Sequence, residues 1–95
     1  METTFEWDDR KAEENIKNHG VSFFEARSAF DDSLSVTIKD EIHSVGEQRF
    51  ITVGESSRQR LLVIVHLQEG DLIRIISARV ATRRERKTYE AGKTH

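Results

Sequence analysis

The chain has no cysteine and no proline, and it carries one tryptophan and one tyrosine in 95 residues. Without cysteine, neither disulfides nor thiolate metal centres can form. No apolar run approaches the length of a membrane span. The acidic opening METTFEWDD lacks the basic and apolar regions of a signal peptide. These absences predict a cytoplasmic protein with no membrane partner. The length predicts a single domain over residues 1–95 with one core and a large exposed fraction.

Net charge is only −2, but its distribution along the chain is uneven. Residues 1–55 hold six Lys/Arg against thirteen Asp/Glu, and residues 56–73 hold two of each. Residues 74–95 hold seven Lys/Arg against two Asp/Glu. Cations are therefore concentrated at the C-terminal end, while the acidic part reads as a solubilising surface.

Hydrophobic spacing and capping residues predict the elements. Phe5-Glu6-Trp7 reads as a short opening strand. Asp8 or Asp9 caps a helix through about Asn18, closed by His19-Gly20. Ser22 with Glu25 forms a capping box for a second helix through about Phe30. Asp31-Asp32-Ser33 is a turn. Leu34, Val36 and Ile38 alternate with polar residues, as in a half-exposed strand. Arg49 to Val53 is another strand, and Arg60 to Leu67, apolar on both faces, a central one. Gln68 to Asp71 is a hairpin turn, returning into a strand from Leu72 to Arg79. Thr82 with Glu85 is a third capping box and opens a final helix. The order β-α-α-β-β-β-β-α predicts an α+β fold, with helices on one face of a mostly antiparallel sheet and the other face open.

Several groups could carry chemistry, and each has an ordinary reading beside it. Glu47 and Arg49 lie two apart, so they share one side of a strand; this is either a surface ion pair or a base beside a phosphate-binding cation. Arg74 sits among isoleucines and must either find a partner, Glu47 or Glu55, or project from an open face toward an anion. Arg79 has the opposite parity to Arg74 along a regular strand, although a turn at the strand's end can release it. Its fork of donors suits a phosphate. Arg83 and Arg84 oppose the dipole of the final helix, while Arg86 and Lys87 extend the basic run; the ordinary reading is a solvated helix face. The histidines are His19, His43, His66 and His95. None has the spacing of a helical metal site, so no metal or cofactor is expected. His66 reads as a core residue, and His43 and His19 as loop groups able to move a proton. No P-loop and no G-x-S-x-G is present.

The residues then resemble a known family. Phe5-Glu6-Trp7-Asp8, Asn15-Ile16-x-x-His19-Gly20-Val21-Ser22-Phe23, Glu25-Ala26 and Phe30-Asp31-Asp32 are similar to the N-terminal half of the BrnT family. His43-Ser44-x-x-Glu47-x-Arg49, Gly54-x-Ser56, Arg60-Leu61-Leu62-Val63, Arg74-Ile75-Ile76-Ser77-Ala78-Arg79, Ala81-Thr82-x-x-Glu85-Arg86 and Tyr89-Glu90 continue the likeness in order and spacing. Val80 and Phe24 depart from it.

The resemblance implies a RelE-like fold and a ribonuclease toxin of a type II toxin–antitoxin system that arrests translation. It also implies a BrnA-type antitoxin that forms a heterotetramer with the toxin and alone contacts operator DNA. On this reading Arg49, Arg74 and Arg79 neutralise phosphate charge, and Glu47 is the base. His43, His19 and Tyr89 are the further proton-transfer candidates, and Arg83, Arg84, Arg86 and Lys87 hold RNA. The alternatives are a non-catalytic antitoxin-binding module acting in operon autoregulation, and direct DNA binding by the final helix, which no helix-turn-helix pattern supports.

Overall fold

The computed structural model describes residues 2–44 and 46–93; His95 lies outside them. The elements are β1 (Thr4–Glu6), α1 (Asp9–His19), α2 (Phe23–Ala29), β2 (Val36–Lys39), β3 (Arg49–Glu55), β4 (Leu61–Glu69), β5 (Leu72–Val80) and α3 (Arg83–Lys93). Helix boundaries follow local chemistry. The Asp8 carboxylate accepts the N–H groups of Arg10 and Lys11 at the start of α1. Gly20, at φ 68°, ends it by donating its N–H to Ile16, a left-handed conformation that glycine adopts without the Cβ penalty. Ser22 accepts the N–H of Glu25 to open α2.

The five strands form one sheet in the order β1-β5-β4-β3-β2. β1 runs parallel to β5, and every other pair is antiparallel. Helices α1 and α2 cover the first face. Leu62, Ile64, Ile73, Ile75 and Ala78 from the sheet meet Val21, Phe23, Ala26 and Ala29 there, in a core closed by Phe5, Trp7, Ala12 and Phe30. A side chain at Gly54 would put its Cβ 2.7 Å from the Ala29 carbonyl oxygen, so the absence of one lets α2 approach β3.

β1 is short and pairs with β5 only from Leu72 to Arg74. Beyond that point the outer edge of β5 would be unpaired, and Asn15 of α1 fills the gap. Its amide nitrogen donates to the carbonyls of Val21 and Ala78, each at 2.8 Å, and its oxygen accepts the Ala78 N–H at 3.1 Å. One buried side chain thus imitates a neighbouring strand.

Two features of the sheet differ from the sequence expectation. First, the ladder between β4 and β5 is irregular: His66 pairs with Ile75, but Val65 pairs with Ser77. Ile76 is the extra residue of a β-bulge, which reverses the alternation beyond it. Arg74 opposite Leu67 and Arg79 opposite Val63 therefore lie on the same face, where regular parity would separate them. Second, α3 crosses to the second face. Arg79 on that face binds Glu85 of α3, and Tyr89 of α3 sits above the β2–β3 side. Leu61 and Val63, whose parity puts them on this face, are buried. The second face is thus covered at one end and open at the other.

Candidate active site

Register builds the open end of the second face. Glu6 of β1 stands beside Arg74 of β5, Arg74 beside Leu67 of β4, and Leu67 beside Arg49 of β3. At ~4.8 Å per strand, Arg74 and Arg49 stand ~10 Å apart across Leu67. Arg79 lies farther along. Its β4 neighbour Val63 is four residues from Leu67, or ~13 Å at ~3.3 Å per residue. The arginines share a face, and Arg49 and Arg74 share a row.

The three guanidiniums are engaged very differently. Arg74 Nη1 donates to Glu6 at 2.6 Å, with the two side chains 40% and 43% exposed. A pair that open to solvent contributes about 0–1 kcal/mol and can exchange for another anion. Arg79 donates through Nη1 and Nη2 to both oxygens of Glu85, at 2.7 and 2.8 Å. That fork, with the Thr82 N–H as a further donor, holds the Glu85 carboxyl down at about 2. Arg79 therefore anchors α3 to β5. Arg49 is half-buried, and its Nε is shut from solvent with no hydrogen-bond partner among the described residues. A buried donor left without an acceptor carries a cost, and an incoming anion beside Arg49 would relieve it.

Glu47 and Gln48 lie just before β3 and line a cleft of about 390 Å³ with Arg74, Glu6, Leu67 and Leu72. Glu47 thus faces the cleft that Arg74 enters. His43 is exposed in the β2–β3 connection, its ring Nδ1 2.9 Å from Asp40, at the same end of the sheet. His19 ends α1, in the helical layer of the first face. Tyr89 is buried and its hydroxyl donates to Asp32; burial, then the neighbouring carboxylate, pushes its pKa well above the usual phenol value. A phenol so held is a poor proton donor. Arg83, Arg84, Arg86 and Lys87 are exposed along α3, with Arg86 reaching Glu90 at 3.5 Å. Among the described residues, no three His, Asp or Glu side chains converge on a point.

The sequence leaves Arg74 two readings, a pair with Glu47 or Glu55 or a place on an open face toward an anion. Arg74 pairs with Glu6, because β1 returns parallel to β5. The available signal was alternation: Phe5 packs toward the core, so its neighbour Glu6 points to the second face. A separate charged cluster lies away from the cleft. Glu25 is buried, takes Nε and Nη2 of Arg60, and accepts the Ser56 hydroxyl at 2.7 Å. The Arg60 guanidinium holds its carboxyl below the ordinary range. This is structural chemistry joining α2 to the start of β4.

The fold is a small α+β domain, and two cations in one row on a sheet face can together hold an anion. The particular family comes from comparison. The family model described as "Ribonuclease toxin, BrnT, of type II toxin-antitoxin system" matches residues 7–85. The chain belongs to the BrnT family of ribonuclease toxins. Among solved structures it is similar to the Brucella abortus ribonuclease toxin BrnT, with a TM-score of 0.67 and 23% identity over 85% of this chain and 99% of that one; at that identity the likeness speaks for the shared fold. No curated protein matches. Among the described residues no helix is long and apolar enough to cross a membrane.

Proposed function

We propose that this ribonuclease toxin cleaves RNA without a metal ion at the open end of its second sheet face. Arg49 and Arg74 neutralise the phosphodiester, and Glu47 removes the proton from the 2′-hydroxyl. The observation that carries the reading is the row Arg74–Leu67–Arg49 with the Arg49 Nε unpartnered. The 2′-oxygen forms a bond to phosphorus as its proton passes to the Glu47 carboxylate. The bond from phosphorus to the 5′-oxygen breaks, and that oxygen takes a proton from His43 or from water. The products are a 2′,3′-cyclic phosphate and a 5′-hydroxyl. Positioned acid–base groups contribute ~10²–10⁴-fold, and preorganised cations at the phosphorane oxygens ~10²–10³-fold each.

Substrate binding replaces Glu6 on Arg74 with phosphate. Arg79 reaches RNA only by exchanging Glu85, so it acts on flanking backbone, with Arg83, Arg84, Arg86 and Lys87 beside it on α3. His19, in the other layer, takes no part, and Tyr89 holds α3 to Asp32. The protein works in the cytoplasm and is neutralised by a BrnA-type antitoxin in a heterotetramer, and the antitoxin carries the operator contacts. The test is cleavage of a defined RNA in excess EDTA, with analysis of the new ends. Cyclic phosphate and 5′-hydroxyl ends support the proposal. Loss of cleavage with EDTA, or 5′-phosphate ends, would overturn it.

A further inference from the structure

Beside the candidate active site, the second face continues into an apolar groove that the proposed chemistry does not use. Val36 and Ile38 of β2 and Ile51 and Val53 of β3 form its floor, with Arg84 and Tyr89 of α3 on its wall; its volume is about 390 Å³. Val36 and Ile38 are 53% and 58% exposed. β2 is also the outer strand of the sheet. The Asp40 N–H is bonded inward to the Arg49 carbonyl. By alternation those of Ile38 and Val36 point the same way, and Thr37 and Lys39 present their N–H and C=O groups outward. Natural edge strands are normally blunted by charges, prolines or bulges. In β2 only Lys39 serves that purpose.

We propose that this edge and groove receive the antitoxin, as an extended segment paired to the outside of β2. Its alternate apolar side chains fold onto Val36 and Ile38, and its acidic residues reach Lys39 and Arg84. This rests on the family reading, which supplies an antitoxin as partner. An extended occupant follows from the free hydrogen-bonding groups of the edge, since strand addition uses those groups for affinity and alternate side chains for specificity. Acidity follows from charge. Arg83, Arg84 and Lys87 on α3, and Lys39 on β2, have no carboxylate partner among the described residues. A second copy of the chain would bring these same cations against one another. An occupant of this groove lies next to the row that holds Arg49, so it blocks RNA as well as holding the toxin.

The experiment uses the full chain and the protein encoded by the adjoining reading frame, purified as their complex. Lys39→Pro removes one outward N–H at an edge where proline is tolerated; Ile38→Glu puts an acid in the groove. Each variant, checked for an unchanged melting temperature, should bind the antitoxin about tenfold or more weakly, the scale of one interface interaction. RNA cleavage by the free variants should equal that of the parent. In the parent complex, the Thr37 and Lys39 amides should become protected from hydrogen exchange. Parent-like binding by both variants would overturn the proposal, and so would weakened binding by Ile38→Glu alone, which points to a helix in the groove. A free parent chain that sediments as a dimer dissociated by Lys39→Pro would overturn it in favour of a second copy. Failure of the parent to cleave RNA at all counts against the active-site proposal instead, since antitoxin binding is read separately.

Discussion

Replacing Asn15 tests the most economical device in the fold. Its side chain makes three hydrogen bonds to otherwise unpaired backbone, one with Val21 and two with Ala78, and is 6% exposed. Asn15→Leu keeps the branching at Cγ and removes all three. Each bond contributes ~1 kcal/mol net, and a buried group left unsatisfied costs ~1–3 kcal/mol, so the loss should be about 3 kcal/mol. Against a total of ~5–15 kcal/mol for a domain of this kind, the melting temperature should fall by ~10–20 °C. Denaturant unfolding followed by circular dichroism at fixed protein concentration measures it directly.

Asn15→Asp sharpens the test, because its carboxylate would face two carbonyl oxygens. Repulsion there raises its pKa in the folded state above the unfolded value of ~3.9. The penalty is then fully present above the raised folded value and relieved as pH falls through it toward ~3.9. A parent-like unfolding midpoint for Asn15→Leu, or for Asn15→Asp at pH 7, would refute the account of how the β5 edge is closed.

Further outcomes follow from the buried charges. Arg60→Met leaves Glu25 buried without its main partner and should cost about 3–5 kcal/mol, whereas adding Glu25→Leu should recover most of it; denaturant midpoints of the single and double variants check this. Burial pulls His66 down to about 4. Its contribution is present above the unfolded ~6.5 and lost as pH falls toward about 4, so stability measured from pH 7 to 4 should drop less in His66→Phe than in the parent. Glu85, held at about 2 by Arg79, likewise contributes stability above the unfolded ~4.3 that is lost on acidification toward about 2. Arg79→Gln should flatten that acid dependence in an acid titration followed by circular dichroism.

Much of the architecture was legible because its signals are local. The cap at Ser22, the box at Thr82, Gly20 after α1, and the alternation of Leu34 to Lys39 all act within a few residues, and the element order follows from them. What failed was non-local. Glu25 reads as the return arm of a capping box, yet its carboxylate goes to Arg60, 35 residues away. The bulge at Ile76 has no signature in LIRIISARV, so parity separated two arginines that the structure puts on one face. Nothing near Asn15 marks it as the partner of Ala78, and Thr82-x-x-Glu85 does not reveal that Glu85 also binds Arg79. Arg49, Arg74 and Glu47 could be nominated from sequence; that Arg49 and Arg74 share a row required the register of three strands. His66 was readable as a core residue, and its Nε2 meets Thr52 at 2.7 Å.

The central claim is that Arg49 and Arg74 act together on one phosphodiester. The direct measurement is the single-turnover cleavage rate of a defined RNA by Arg49→Ala, Arg74→Ala and the double variant, each with a parent-like melting temperature. The account predicts a fall of ~10²–10³-fold for each single change, and for the double variant a loss smaller than the two multiplied together. Parent-like cleavage by both single variants would contradict it.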